Sequence, residues 1–371
     1  MNRRAFLLGT GAAALAAPTL AQGSSPMRYS ALALQTVCDA VNQDSSVEDA
    51  HARMDRAISR VRGQIGSAKG FLKGFNGYDV KLVVLPEYWM TGFPLGESRE
   101  EWQDKAAIPM DGAIPDKLAG LAQALGVYLC SNHYENDEKF PDLYFQSNVI
   151  YGPNGDTFLR YRRMISLYTP SPYDVWDKYL DTYGEDAVFP VADTEIGVLG
   201  SIASEEILYP EIARMQAFKG AEIFCHPTSE VGAPTLTPKH ITKKARAIEN
   251  IAYVVSANSA EIIGTPVPSA STDGMSIVLD WYGRTLAEAN QGETLNANAV
   301  LDIGALRDTR RKTGMTNTLS RLPNAAFANP YGQANHAPAN RTPNAQMIER
   351  KDAIAQQQAV IDRLVESGVL K

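Results

Sequence analysis

Three short segments of the chain carry side chains whose types and spacing could do chemistry. Leu85-Pro-Glu-Tyr88 places a carboxylate directly after an apolar run, Arg160-Tyr-Arg-Arg163 is rich in basic groups, and residues 204–211 contain one serine and three glutamates. A carboxylate can act as a general base, a guanidinium can stabilise negative charge, and a serine can act as a nucleophile when a base activates it. Each segment alone also fits a solvated loop, so the inference depends on their order along the chain.

A long alternation of strands and helices must position these segments. Residues 81–86 are apolar on both faces, which predicts a strand in a sheet that is covered on both sides. Hairpin signals join residues 147–151 to 157–161 and residues 275–279 to 285–287. Further strands are predicted at residues 29–37, 127–130, 196–202, 221–225 and 251–257, and helices at about residues 47–65, 115–125, 210–219 and 239–250. These βα units and hairpins follow one another without a long linker, which predicts one α/β domain of two layered sheets.

The composition excludes several classes of function. The 371 residues include 35 Lys+Arg and 42 Asp+Glu, for a formal charge of −7, and the body of the chain has no basic run, so no nucleic-acid partner is expected. No apolar stretch in the body approaches the ~20 residues of a membrane span, so none is predicted once the N-terminal segment is removed. Cys38, Cys130 and Cys225 form no Cys-x-x-Cys pair, and we predict neither a metal nor a cofactor.

The first residues are predicted to be an export signal rather than part of the fold. Arg3 and Arg4 form a twin-arginine pair, which precedes a mildly apolar Ala/Gly/Leu stretch and small residues near Ala21. We therefore predict a twin-arginine signal peptide at residues 1–22 and a periplasmic mature protein, with an uncleaved membrane anchor as the alternative. The periplasm is oxidising, and the spacing of the three cysteines does not decide whether any two of them pair.

The C-terminal part of the chain differs in composition from the body. Pro, Asn, Ala and Gly predominate after residue 322, which predicts a loop-like arm up to residue 344. A last amphipathic helix is predicted at about residues 345–367, with an apolar stripe that includes Ile354 and Ile361. Such a stripe must be buried on its own domain or on a partner subunit, so we expect a homodimer or a higher homo-oligomer.

The helix predicted at residues 239–250 carries a group of basic residues. Lys239, Lys243 and Lys244 approach the segment Arg246-Ala-Ile-Glu-Asn250. A run of like charges on a helix usually faces solvent. We therefore predict that the three lysines form a solvated face.

The order of the three chemical segments resembles that of the nitrilase superfamily, also called the carbon–nitrogen hydrolases. The family pattern is a strand that ends in Pro-Glu, then Tyr-Arg-Lys after a Gly-closed hairpin, then a cysteine followed by an aromatic and an acidic residue with Pro-Glu a few positions on. Pro86-Glu87, Tyr161-Arg-Arg163 and residues 204–211 match it in frame. The resemblance implies a domain at residues 27–322 with the family's αββα sandwich, two sheets covered by helices, in dimers that pair into larger assemblies.

The resemblance also implies roles for four residues. Glu87 matches the family's general base, and Glu135 matches a second glutamate that orients the lysine and assists proton transfer. The position of the lysine that stabilises the tetrahedral intermediate holds Arg163, and the position of the cysteine nucleophile holds Ser204. Two of the three principal residues are therefore replaced.

The replacements change the available chemistry. A serine hydroxyl is much harder to ionise than a thiol and normally needs a histidine partner, and neither His133 nor His226 lies at a spacing that identifies it. An arginine keeps its positive charge but cannot lose its proton. Cys225 is a weaker alternative nucleophile, because a cysteine in an apolar strand is more often a small core residue.

Three hypotheses follow. The first is a hydrolase of a small amide, nitrile or related compound, in which Ser204 or a water activated by Glu87 attacks and Arg163 stabilises the charge. The second is an inactive family member that binds a small polar or carboxylate-like ligand. The third is an interaction role that depends on the oligomer and the C-terminal arm.

Overall fold

The computed structural model describes residues 27–272, 274–334, 336–342 and 349–371. The predicted signal peptide at residues 1–22 lies outside these ranges and stays a prediction. The strands are β1 (Arg28–Ala33), β2 (Cys38–Asp39), β3 (Val80–Val84), β4 (Ala107–Pro109), β5 (Tyr128–Asn136), β6 (Tyr144–Tyr151), β7 (Thr157–Arg162), β8 (Ala192–Thr194), β9 (Gly197–Ser201), β10 (Ile223–Pro227), β11 (Tyr253–Ala257), β12 (Ile262–Ile263), β13 (Ile277–Leu279), β14 (Thr285–Glu288) and β15 (Asn298–Asp302). The α-helices are α1 (Val47–Asn76), α2 (Arg99–Ala106), α3 (Ala113–Leu125), α4 (Trp176–Tyr183), α5 (Pro210–Phe218), α6 (Pro238–Asn250), α7 (Ile303–Arg311), α8 (Thr318–Arg321), α9 (Asn324–Gln333) and α10 (Arg350–Glu366).

Two mixed sheets form the centre of the fold. The first has the strand order β15-β1-β3-β5-β6-β7, with β4 beside β5, and the second has the order β14-β13-β11-β10-β9-β8. In the first sheet β1, β3 and β5 are parallel, and in the second β9, β10 and β11 are parallel. The predicted hairpins are the antiparallel pairs β6–β7 and β13–β14. The carboxyl ends of parallel strands meet at one edge of a sheet, which is where α/β proteins bind ligands.

Alternation along the central strands explains the layers. In β3, Leu82 and Val84 belong to the same core cluster as Cys225 of the second sheet, which lies between the two sheets. Val83 belongs instead to the cluster beneath the helices, with Met54 of α1. Successive side chains of a strand point to opposite faces, so a strand that is apolar throughout is buried on both sides. With α5 and α6 covering the second sheet, the predicted αββα sandwich is confirmed.

The C-terminal part of the chain departs from the expected loop-like arm. Helix α9 (Asn324–Gln333) occupies the region, because Ala325, Ala326 and Ala328 favour helix formation. That expectation was wrong for these residues.

The last helix, α10 (Arg350–Glu366), lies within the predicted range 345–367, whose first residues fall partly outside the described part of the chain. Ile354 and Ile361 are 49% and 37% exposed, so the chain itself does not bury this part of the stripe. None of the helices in the described ranges is both long and apolar enough to cross a membrane.

A small sheet of β2 and β12 supports the loop that follows β3. Cys38, Ala40 and Ile262 form its core, and Tyr88 and Phe93 pack against them. Gly264 comes directly after β12 with φ +79°, and a Cβ atom there would lie 2.2 Å from the carbonyl oxygen of Ala40. The close approach of two backbones therefore requires glycine at this position.

Replacing Gly264 by alanine tests this packing, and Gly77→Ala is a matched control. Gly77 also has φ +79°, but nothing lies within 4 Å of a Cβ placed there. We expect Gly77→Ala to lower the free energy of unfolding by about 1 kcal/mol, from backbone strain alone. Gly264→Ala should cost about 3 kcal/mol, because the clash with Ala40 is added. Urea unfolding of both variants measures the difference in the free energy of unfolding. Equal losses for the two variants would show that the backbones at Gly264 and Ala40 can move apart.

Candidate active site

A cleft of about 590 Å³ opens where the carboxyl ends of the central strands meet. Glu87 lines it after β3, Arg163 after β7 and Ser204 after β9, so the fold brings together three of the four residues singled out from the sequence. The cleft also has aromatic walls, which consist of Tyr88, Phe93, Trp102, Tyr134, Tyr144 and Tyr168. Aromatic walls around a few convergent polar groups are typical of small-molecule sites.

Glu87 is held by contacts from both sheets. Its backbone N–H donates to the carbonyl oxygen of Thr228, beyond β10, at 3.2 Å. Its Oε1 accepts hydrogen bonds from Gln146 Nε2 at 2.8 Å and from Arg163 Nη1 at 3.2 Å. The residue is only 2% exposed, and a buried carboxylate needs such partners to remain charged.

Arg163 is a buried cation between two carboxylates. Nη1 contacts Glu87 and donates to Gln146 Oε1 at 2.6 Å, Nη2 lies 2.6 Å from Glu205 Oε1, and Nε donates to the carbonyl oxygen of Ile165 at 2.8 Å. Burial alone would lower the pKa of Arg163, but Tyr88 and the two glutamates raise it above its ordinary value. The guanidinium is therefore permanently charged and closed onto Glu87 and Glu205.

Ser204 has a strained backbone and a basic neighbour. Its φ is +46°, in the left-handed region that non-glycine residues rarely adopt, at the start of a 3₁₀ turn over Ser204–Leu208. Lys239 Nζ lies 3.2 Å from Ser204 Oγ and 3.0 Å from the carbonyl oxygen of Ser229. Strain of this kind is often found at functional sites, where the surrounding structure must hold the residue in place.

His226 holds the backbone of Ser204 rather than its hydroxyl. Its Nε2 lies 2.9 Å from the carbonyl oxygen of Ser204, and its Nδ1 lies 2.8 Å from Ser256 Oγ. Burial, with the nearby ammonium of Lys243, lowers the pKa of His226 to about 3, so the ring is neutral. A carbonyl oxygen can only accept, so Nε2 carries the proton and the histidine does not act as the base of Ser204.

Glu206 joins the loops that carry Arg163 and Ser204. Its Oε1 accepts from the backbone N–H groups of Met164 at 2.7 Å and Ile165 at 3.0 Å, and its Oε2 accepts from that of Ala203 at 3.1 Å. Burial raises the pKa of Glu206 to about 7, against the opposing effect of Arg163 and these donors. One carboxylate thus fixes the distance between the two loops.

Glu135 lies apart from the other three residues. Its carboxylate contacts Arg162, Arg160 and the hydroxyl of Ser147, and it lines a second cleft of about 630 Å³. Glu135 was expected to orient residue 163. It pairs instead with the guanidinium of Arg162, so the placement does not match that role.

Cys225 does not face the cleft as an alternative nucleophile. All three cysteines are buried free thiols, and Cys225 is fully buried in β10 within the core between the sheets. The hydrogen bond with Cys130 and burial raise the pKa of Cys225 well above its usual value. Its thiolate is therefore inaccessible, and the weaker alternative is removed.

Comparison with known proteins decides the family. Residues 41–311 match the family described as carbon-nitrogen hydrolase. The chain belongs to the carbon–nitrogen hydrolase family. It is 28% identical over 267 residues to a nitrilase of Pyrococcus abyssi, a match that covers 71% of this chain and 93% of that protein. It is 24% identical over 264 residues to an omega-amidase of Danio rerio, which covers 70% and 90%.

A solved structure agrees with the family's fold. The carbon–nitrogen hydrolase of Helicobacter pylori G27 superposes with a TM-score of 0.61 at 22% identity, covering 82% of this chain and 98% of that one. This carbon–nitrogen hydrolase fold therefore accounts for both sheets and the helices that cover them.

Two residues of this carbon–nitrogen hydrolase site escaped the sequence reasoning. Gln146 bridges Glu87 and Arg163, and Lys239 contacts Ser204. The prediction of a solvated lysine face was wrong for Lys239, which is half-buried in the cleft, and for Lys243, which is 1% exposed. A signal was present, because Thr237-Pro238 marks a helix start after a parallel strand, and such a first turn lies at the ligand edge.

A buried ion pair anchors the helix that carries Lys239. Glu230 Oε1 lies 2.6 Å from Lys243 Nζ, and the hydroxyl of Thr237, the N-cap of α6, donates to Glu230. Burial alone would raise the pKa of Glu230, but Lys243 and Thr237 lower it to about 2. The pair therefore fixes α6 against the loop after β10.

Glu230→Gln should destabilise the fold by about 3 kcal/mol near neutral pH, because it leaves Lys243 buried without its carboxylate. In the window between about 2 and 4.5 the unfolded chain binds more protons at Glu230 than the folded chain, so its contribution to stability is lost as pH falls. The difference between wild type and variant should therefore narrow by about 2 kcal/mol between pH 6 and pH 3 in urea unfolding. Adding Lys243→Met should recover much of the loss at neutral pH. A pH-independent difference would contradict the ion pair.

Proposed function

We propose that this carbon–nitrogen hydrolase cleaves the C–N bond of a small amide, with Ser204 as the nucleophile. The observation that carries the proposal is the position of the Ser204 hydroxyl, which lies on a strained residue in the cleft beside Arg163 and an amine. The names of the relatives, nitrilase and omega-amidase, support amides and nitriles as the substrate class.

Glu87 and Arg163 have separate roles in this mechanism. Arg163 supplies a fixed positive charge toward the carbonyl oxygen as it becomes negative, since such preorganised charge stabilises a tetrahedral intermediate. Two hydrogen bonds to Glu87 use Oε1, and the hydroxyl of Tyr88 is a further partner of the carboxylate. The carboxylate takes the proton of the water that attacks the acyl-serine, and that proton passes to Ser204 Oγ as the ester bond breaks.

One observation favours a second function, the binding of a small polar ligand without turnover. The guanidinium of Arg163 is closed onto Glu87 and Glu205, so Glu87 already has a cationic partner. A carboxylate in an ion pair is a weaker base than a free one. This arrangement would suit a receptor whose ligand carries its own hydrogen-bonding groups.

Export through the twin-arginine route is part of the proposal. Arg3 and Arg4, with the mildly apolar residues after them, support it. The protein would therefore act on small molecules in the periplasm.

The nucleophile is tested with a panel of small aliphatic amides, esters and nitriles. We expect Ser204→Ala to lower kcat/KM by at least about 10³-fold on any compound that wild type hydrolyses, since removing a nucleophile removes the acyl-enzyme route. Ser30→Ala is the matched control, because Ser30 is a buried serine near the start of β1 in the first sheet, and the variant should hydrolyse the compound at the wild-type rate.

The same panel separates the two functions. Hydrolysis that survives Ser204→Ala overturns the serine mechanism. A compound that raises the melting temperature of the wild type without turnover, and fails to do so for Arg163→Ala, identifies the receptor instead.

The export signal is tested by replacing Arg3 and Arg4 with lysine in a bacterial host. We expect the double variant to remain in the cytoplasmic fraction at its full mass, because the signal is read through the arginine pair. Wild type, and a control with Arg56→Lys and Arg62→Lys on α1, should appear in the periplasm with a new N-terminus near Gln22. Equal cytoplasmic retention of all three would exclude the route.

A further inference from the structure

The amine of Lys239, on helix α6, reaches the hydroxyl of Ser204. Lys239 Nζ lies 3.2 Å from Ser204 Oγ, and its other contact, 3.0 Å from the carbonyl oxygen of Ser229, fixes it from the loop after β10. The two contacts come from different loops, so the amine is located by the fold and not by the helix alone. Lys239 lines the same cleft as Ser204 and Glu87.

Its place on α6 is unfavourable for a cation. Lys239 is the second residue of the helix, directly after Pro238, and Thr237 caps the helix by accepting from the N–H of His240. The first turn carries a partial positive charge that repels an ammonium group. A lysine at this position therefore costs stability, and the ion pair of Lys243 with Glu230 holds the helix there nevertheless.

Two neighbours of Ser204 do not fit the role of its base in the first step, and Glu87, which lines the same cleft, is already paired with Arg163. His226 donates to the backbone carbonyl of Ser204 from a neutral ring. Arg163 cannot lose a proton. Among the side chains of the described residues whose hydrogen bonds reach Ser204 Oγ, Lys239 is the one that can exchange a proton at nitrogen.

We propose that Lys239 is the catalytic base of Ser204, in a serine–lysine pair that replaces the thiol chemistry of the family. This inference rests on the proposed amide hydrolysis. In the proposed step Lys239 Nζ takes the proton from Ser204 Oγ while Oγ bonds to the carbonyl carbon of the amide. The C–N bond then breaks, and the ammonium of Lys239 returns the proton to the departing nitrogen, which leaves as an amine. Serine–lysine pairs perform the same exchange on unrelated folds.

In this proposal Arg163 and Lys239 have different roles in the cleft. Arg163 and Lys239 approach from different sheets, the first after β7 and the second after β10. The fixed charge comes from the group that cannot lose its proton, and the transferable proton comes from the group that can. One lysine side chain is thereby replaced by two basic side chains with separate tasks.

The test measures how fast a fluorophosphonate modifies Ser204 in the full-length protein. In that reaction Oγ bonds to phosphorus and fluoride leaves, so it reports the nucleophile without a known substrate. We expect wild type to be labelled at Ser204, as identified by peptide mass spectrometry, and both Lys239→Ala and Lys239→Arg to react at least about 100-fold more slowly. Arginine keeps the charge but is not a base, so it separates proton transfer from electrostatics. Lys244→Ala, five residues further along α6, is the matched control and should react like wild type.

The outcomes distinguish the two levels of the proposal. No labelling of wild type at Ser204 would overturn the serine nucleophile and the proposed function with it. Labelling of wild type and of Lys239→Ala at the same rate would keep the nucleophile and overturn Lys239 as its base. Full reactivity in Lys239→Arg would also overturn it, because a charge alone would then suffice. Circular dichroism of each variant shows that it is folded, and partial restoration of Lys239→Ala by added ethylamine would support the missing amine.

Discussion

The buried guanidinium of Arg163 is the interaction on which the rest of the cleft depends. A charge that is 5% exposed must be neutralised, and a planar fork presents two Nη groups that need separate acceptors. Glu87 and Gln146 serve one, and Glu205 serves the other. Glu205 stands where the family pattern has an aromatic residue, so the arginine and the extra glutamate are one physical change rather than two. Without Glu205 the second Nη group of Arg163 would lose its carboxylate, and without Arg163 Glu205 would lose its cationic partner.

The same constraint makes the cleft a product of both sheets. Glu87 comes from the first sheet, yet its backbone is tied to Thr228 beyond β10 of the second. Glu206 binds the backbone of the Arg163 loop and that of the Ser204 turn with one carboxylate. The left-handed conformation of Ser204 is stable only because His226 and this turn hold both of its ends. The geometry of the site is therefore coupled to the packing between the sheets.

The sequence was sufficient for the fold, because hydrophobic alternation predicted the sheets and helices, and it located three residues of the cleft through the order of the family's motifs. It was insufficient for Glu135, and the register explains why. Glu135 lies opposite Phe145 on β6, and Ser147, two residues on, lies opposite Arg162 on β7. Side chains two apart share a face of a strand, so Glu135 meets Arg162, while Arg163 lies beyond the end of β7. Whether Glu135 faces Arg162 or Arg163 depends on the register of β5, β6 and β7. The spacing of the motifs along the chain does not determine that register.

Helix α6 shows a different limit of the sequence. Its group of lysines was recognised, but the prediction that they face solvent was wrong. A lysine can be buried when a carboxylate inside the protein neutralises it. Here Glu230, in the loop after β10, supplies that carboxylate to Lys243, and Glu230 belongs to none of the motifs recognised in the sequence. Once Lys243 is buried, Lys239 lies one helical turn earlier and is directed to the same side, toward the mouth of the cleft. The exchange of a thiol for a hydroxyl raises the demand for a base. A lysine at the first turn of a helix, where a positive charge is least stable, is a physically reasonable way for this fold to meet that demand.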